Sequence, residues 1–176
     1  MAYVIIAVVL LLIIVPIFSV LPSARQREQM AMRNAARAEG VTVELTSIAD
    51  PNPKQDKYIS HIGKPIDPVL KVAAYRVQRR RSSNWRLLPQ VNWRFSRDLE
   101  GNWHPQQSAS EHISDDLAAW LPEQVVQLPA DVEQVEEMNY NIIVYWHERR
   151  PGDEKKVFEF LKQCAGLPLH KPLEDD

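Results

Sequence analysis

The chain is poor in the residues from which most sites of chemistry are assembled. Its 176 residues include one cysteine, Cys164, so no intrachain disulfide is possible, which agrees with a reducing compartment. Five glycines are too few and too scattered to form a loop that cradles phosphate. The five histidines, His61, His104, His112, His147 and His170, show no HxxxH or HExxH spacing and have no thiolate cluster near them, so a metal site is unsupported. There are no internal repeats and no RNP, KH or helix-turn-helix pattern. No catalytic, cofactor-binding or metal-ligating residue is assigned, and no cofactor is expected.

Charge is the other absence. Ala2 to Leu21 contains no Asp, Glu, Lys, Arg or His, and fifteen of these twenty residues are Val, Ile, Leu or Phe. Twenty residues at a rise of 1.5 Å make a helix of about 30 Å, the hydrocarbon thickness of a bilayer, and the summed transfer energies favour insertion. A cleaved signal peptide fits less well because only Met1, Ala2 and Tyr3 precede the run and bring no basic side chain. A core helix this uniformly apolar would need protein on all sides. Arg25, Arg27, Arg33 and Arg37 follow the run, with no Lys or Arg before it, which predicts a periplasmic N-terminus and a cytoplasmic C-terminal domain at a bacterial inner membrane.

The predicted organisation is a transmembrane helix over 1–21, an Arg-rich juxtamembrane helix over 22–40, an α+β domain over 41–166 and an acidic tail over 167–176. The fold class is α+β, with the transmembrane helix continuing into the juxtamembrane helix, then a small, mainly antiparallel sheet and a C-terminal amphipathic helix. PSARQREQMAMRNAARAE is rich in helix formers and Gly40 stands where a left-handed C-cap is wanted. The arginines of this helix suit anionic headgroups, and its thin apolar side, Met30, Met32, Ala35 and Ala36, offers a packing face for a partner helix.

Val41, Val43 and Leu45 alternate with Thr42, Glu44 and Thr46 at strand spacing. Asp50 to Pro68 holds four prolines and reads as a loop; Val69 to Gln78 reads as a strand, with Trp85 to Leu88 and Val91 to Phe95 in the same style around Pro89. Glu100, Gly101 and Asn102 form a hairpin turn. Ser114 caps a short helix that should stop at Pro122. Pro122 to Met138 is ambiguous, since Val132, Val135 and Met138 fit a helical step of three. Tyr140 to His147 is the strongest strand and should be central, and Asp153 to Ala165 is an amphipathic helix ended by Gly166.

The net charge of −2 hides an asymmetry: residues 22–104 sum to +7 and residues 105–176 to −9. Mutual attraction of the two halves in the fold and seating against an anionic leaflet are the competing readings. Arg79, Arg80 and Arg81 beside Trp85, Trp93 and Trp103 could stack and neutralise a nucleic acid, but tryptophans at strand spacing more often face a core, and nucleic acid is not a favoured partner. Glu111, His112, Asp115 and Asp116 form the densest polar group and read as a helix start. Cys164 lies on the apolar stripe of the last helix, as a buried thiol rather than a nucleophile.

The segment RQREQMAMRNAARAEG after one apolar span resembles the layout of the small accessory subunit of the bacterial preprotein translocase. The whole layout, including the VYWHER strand, resembles uncharacterised proteobacterial single-span membrane proteins that carry that subunit's name. The function expected is a protein-interaction or scaffolding domain on a single-pass inner-membrane protein, with membrane lipid and a protein as partners and no catalysis. Two alternatives are an accessory factor of protein export or envelope biogenesis, and a membrane-tethered enzyme or ligand-binding domain.

Overall fold

The change of period after Gly40 marks where a sheet begins. The computed structural model describes residues 2–6, 9–12, 22–107 and 112–171. Its strands are β1 (Thr42–Ala49), β2 (Val69–Gln78), β3 (Trp93–Arg97), β4 (Trp103–Gln107), β5 (Val132–Met138) and β6 (Asn141–Trp146). They form one six-stranded sheet in the order β1-β2-β6-β5-β3-β4, antiparallel at every pair. The helices of the domain are α1 (Ala24–Ala38), α2 (Asp115–Val125) and α3 (Glu154–Gly166), with a short 3₁₀ turn at Asp56–Tyr58.

Residues directly opposite across a ladder share a face of the pleat. Tyr75 lies opposite Val144, Val144 opposite Val135, and Ala73 opposite Trp146, so one face gathers the large apolar side chains. The helices bury their stripes against it: Met32 and Ala36 from α1, Leu117, Leu121 and Val125 from α2, and Val157, Phe160, Leu161 and Cys164 from α3. Burying each Leu or Phe side chain contributes about 1.5–3 kcal/mol.

Local chemistry ends each helix. At the C-terminus of α1, Gly40 takes φ 78°, Val41 N–H bonds the Ala36 carbonyl at 2.9 Å and Gly40 N–H bonds the Arg37 carbonyl at 3.1 Å. This is a Schellman closure, which needs a residue tolerant of the left-handed region. In α2 the Ser114 hydroxyl accepts from the Leu117 N–H at 3.2 Å, but the helix runs through Pro122 to Val125 rather than stopping. Leu121 and Val125 are both buried on either side of the proline, and their packing offsets its lost hydrogen bond.

The ambiguous stretch is also resolved. Pairing of β5 with β6 slips between Val132 and Gln134, a bulge that lets Val132 and Val135, three apart, both face the core. The β5–β6 connection is a two-residue turn in which Asn139 and Tyr140 take φ 52° and 63°, the type I′ pattern. The predicted strand at Trp85 to Leu88 is instead a series of turns.

The expected membrane arrangement is overturned. Among the described residues no helix is long and apolar enough to cross a membrane. Residues 2–6 and 9–12 are helical, while 1, 7, 8 and 13–21 of the expected 1–21 span lie outside the described residues. Nor does α1 continue a preceding helix. Ser23 is extended at φ −60°, ψ 161°, its hydroxyl accepts from Gln26 N–H at 3.3 Å and its own N–H donates to the Gln26 side chain at 2.7 Å. That capping box starts a helix afresh, so the expected continuation of a transmembrane helix into the juxtamembrane helix is not found, and with no described helix able to cross a membrane the single-pass fold and the inner-membrane location with a periplasmic N-terminus are not supported. What stands is an α+β fold on a six-stranded antiparallel sheet.

The first part of the expected tail is packed. Leu169 is buried, its carbonyl accepts from Ser114 N–H at 2.9 Å, and Lys171 N–H bonds the His112 carbonyl at 3.1 Å. Residues 172–176 lie outside the described residues.

Candidate functional site

Three carboxylates of the acidic half meet three arginines of the basic half across the sheet. Arg79, just past the end of β2, donates from Nε to Glu137 Oε1 at 2.7 Å and from Nη2 to Oε2 at 2.9 Å. Trp93 Nε1 donates to the same Oε2 at 2.9 Å, and Arg79 Nη1 donates to the Leu167 carbonyl. Both charged side chains are almost fully buried, so the pair exists only because these partners satisfy it. Burial alone would lower the Arg79 pKa; the bonds to Glu137 outweigh it and the pKa is raised.

Arg33 of α1 bonds Glu148 through Nε at 2.8 Å, and the Tyr75 hydroxyl donates to Glu148 at 2.7 Å. Burial, then this bond, push the Tyr75 pKa up. The helix is therefore tied to its own domain through Arg33. On the opposite face Tyr145 donates to Glu136 at 2.6 Å and Arg94 Nε donates at 2.7 Å. Each of these carboxylates is already engaged by a guanidinium and a phenol or indole, which leaves it as a structural acceptor rather than a free acid or base.

The exposed chemistry sits where the same arginine run leaves the sheet. Arg79 turns inward, whereas Arg80 and Arg81 turn out. The Arg81 guanidinium lies 4.6 Å from the Trp85 ring and 5.4 Å from the Tyr140 ring, and Arg86 lies 5.4 Å from the Trp85 ring. Trp85 and Tyr140 meet edge to face at 6.1 Å and 83°. Tyr140 also lies 6.0 Å from His170, whose Nε2 donates to the Pro89 carbonyl at 3.0 Å and ties the 79–92 loop to the C-terminal segment.

Two clefts open around this cluster and share Leu88 and Tyr140. One, of about 800 Å³, lies between the loop and the 165–171 segment and includes Arg80, Leu167 and Lys171. The other, of about 400 Å³, includes Arg81, Trp85 and Arg86. Among the described residues Arg80, Arg81 and Arg86 have no carboxylate partner, while Lys171 bonds Asp115 at 3.0 Å. Cation–π contact holds the Arg81 and Arg86 guanidiniums in place without neutralising them, so the surface presents oriented positive charge beside aromatic area.

Of the three arginines and three tryptophans weighed, and not favoured, as a stacking surface, one pair is in contact, Arg81 with Trp85. Trp93 is buried, and Trp103 packs against the core with Arg97 at 4.8 Å. Tyr140 lies at the hairpin tip rather than in the strand expected over Tyr140 to His147, and the asparagine on either side of it is the sequence signal for that place. The other candidates disperse. His104 pairs with Asp98 at 2.7 Å and His147 with Glu133 at 3.1 Å, and among the described residues no group of three or more His, Cys, Asp or Glu is placed to hold a metal. Asp115 and Asp116 occupy the first turn of α2 after Ser114, and Glu111 lies outside the described residues. Burial pushes the Cys164 thiol up to about 12, against the pull of Arg79.

Comparison with protein-family models, with curated proteins and with solved structures found no match.

Proposed function

We propose that this domain is a protein-interaction module without catalysis, and that the Arg80, Arg81, Trp85 and Tyr140 end receives an acidic segment of a partner protein. The observation that carries the reading is the backbone of Tyr140. A bulky aromatic at φ 63° is strained, and such strain persists where the surroundings or a function require it. Here it sets the phenol ring beside Arg81 and Trp85 and at the rim of both clefts.

Charge complementarity supports an acidic occupant, because the free guanidiniums at this end face no carboxylate among the described residues. The apolar walls from Leu88, Leu167 and Leu169 suit an aliphatic or aromatic anchor within that occupant. Aromatic and arginine side chains of this kind dominate the energetics of protein interfaces.

The test is a photocrosslinking residue in place of Leu87, which is 87% exposed, with a second placed at Leu99 as control. In the native host, Leu87 should yield a discrete adduct whose crosslinked peptide is rich in Asp and Glu, and the Arg80→Glu/Arg81→Glu double variant should lose it. The same adduct from Leu99, persistence after charge reversal, or an adduct to nucleic acid would overturn the reading.

A further inference from the structure

The two edges of the sheet differ in a way that the basic end does not explain. β4 carries Pro105 at its centre, and the pairing of β3 with it is irregular between Arg94 and Phe95. Proline and a bulge both make an edge unfit for another strand. β1 has neither device. Its eight residues pair with β2 in unbroken register from Thr42 opposite Arg76 to Ala49 opposite Val69, and none of them is Lys, Arg or Pro.

Among the described residues, the backbone hydrogen bonds that β1 makes to other elements run to β2 alone. Its outward N–H and C=O groups are left for a further strand. Leu45 is 66% exposed at this edge, on the rim of a cleft of about 340 Å³ lined also by Gln29, Arg33, Lys71 and Trp146.

We infer that β1 is the contact through which two copies of this chain associate, the β1 strands pairing antiparallel about a two-fold axis beside Leu45 and carrying the sheet from one copy into the next. The strand's own sequence selects a second copy and a register. With Leu45 opposite Leu45, Val43 faces Ser47, Thr42 faces Ile48, and Glu44, the only charged residue of the strand, faces Thr46. A register centred on Glu44 would oppose two like charges, and one centred on Thr46 would set each Glu44 carboxylate against Ile48 of the other copy. The cleft beside Leu45 leaves room on the same face for the second leucine.

The experiment is Leu45→Cys in the full chain, with Leu99→Cys as the control. Cys164 is fully buried, so the introduced thiol is the reactive one. Opposite residues in an antiparallel pair have Cα atoms about 4.5–5.5 Å apart, within disulfide range. Mild oxidation should convert the Leu45→Cys chain to a reducible covalent dimer at least about tenfold faster than the control, since pairing presents the two thiols to each other. Light scattering on the unsubstituted chain should give twice the 20.3 kDa monomer mass, and Leu45→Lys, at an exposed position and with an unchanged circular dichroism spectrum, should return it to the monomer. Crosslinking no faster than the control, or a dimer that persists in Leu45→Lys, would overturn the inference.

Discussion

Arg79 and Glu137 lie 58 positions apart in the chain and close a two-point ion pair under α3, Nε to Oε1 at 2.7 Å and Nη2 to Oε2 at 2.9 Å. Water is excluded from both side chains, and Trp93 holds the carboxylate from a third direction. The pair joins the end of β2 to β5 and sets the point at which the arginine run turns outward.

Arg79→Met strands a buried carboxylate. It should destabilise the domain by about 3–5 kcal/mol, whereas the Arg79→Met/Glu137→Leu double variant should lose far less than the sum of the single changes. Urea unfolding of the four members of the cycle measures this, and additive losses would show the two charges to be independent.

The thiol of Cys164 should be inert in the folded chain. Its pKa, raised to about 12 by burial, keeps it protonated at neutral pH, so reaction with a thiol reagent should be at least about a hundredfold slower than in urea. Equal rates in the two conditions would contradict the packing of α3.

Stability should fall on the acid side through Asp98. The hydrogen bond from His104, followed by those from the Asn102 backbone and side chain, holds its carboxyl at about 2 against an ordinary 3.8. A folded-state pKa below the unfolded value stabilises above the unfolded pKa and is lost as pH falls toward the folded one. Asp98→Asn should therefore flatten the pH dependence of the urea midpoint between about 4 and 2. An unchanged acid limb would contradict the Asp98–His104 contact.

Tyr140→Gly separates strain from recognition. Glycine adopts φ 63° freely, so relief of the backbone should offset the loss of ring contacts, and stability should hold or rise by up to about 1 kcal/mol. The adduct from Leu87 should nevertheless disappear. A loss of both stability and adduct would make Tyr140 a packing residue only.

Elements governed by short-range chemistry were legible before the structure. Val69–Gln78 is a strand at the expected bounds, Gly40 and Gly101 take positive φ at the cap and turn assigned to them, and α3 is displaced by one residue from the expected helix. The failures have local causes. A bulge brought Val132 and Val135 to one face and imitated a helical step, and packing on both sides of Pro122 carried α2 past a residue that usually stops a helix. The Ser23 capping box is carried by the local spacing of Ser23 and Gln26, next to a hydrophobic run whose pattern suggests a longer helix.

The site was legible only in outline. Lopsided charge pointed to attraction between the halves, yet which arginine met which glutamate depends on pairs such as Arg33 and Glu148, 115 positions apart, that no local pattern records. The arginine run was visible; that its first member is buried and its third lies against Trp85 is a product of where β2 ends.

The central claim is most directly tested by titrating the acidic peptide recovered from the Leu87 crosslink into the full chain while following indole fluorescence. The account predicts saturable binding that weakens with salt and falls at least about tenfold in Arg81→Ala and in Trp85→Ala, with unfolding midpoints unchanged. Binding indifferent to salt and to both substitutions would contradict it.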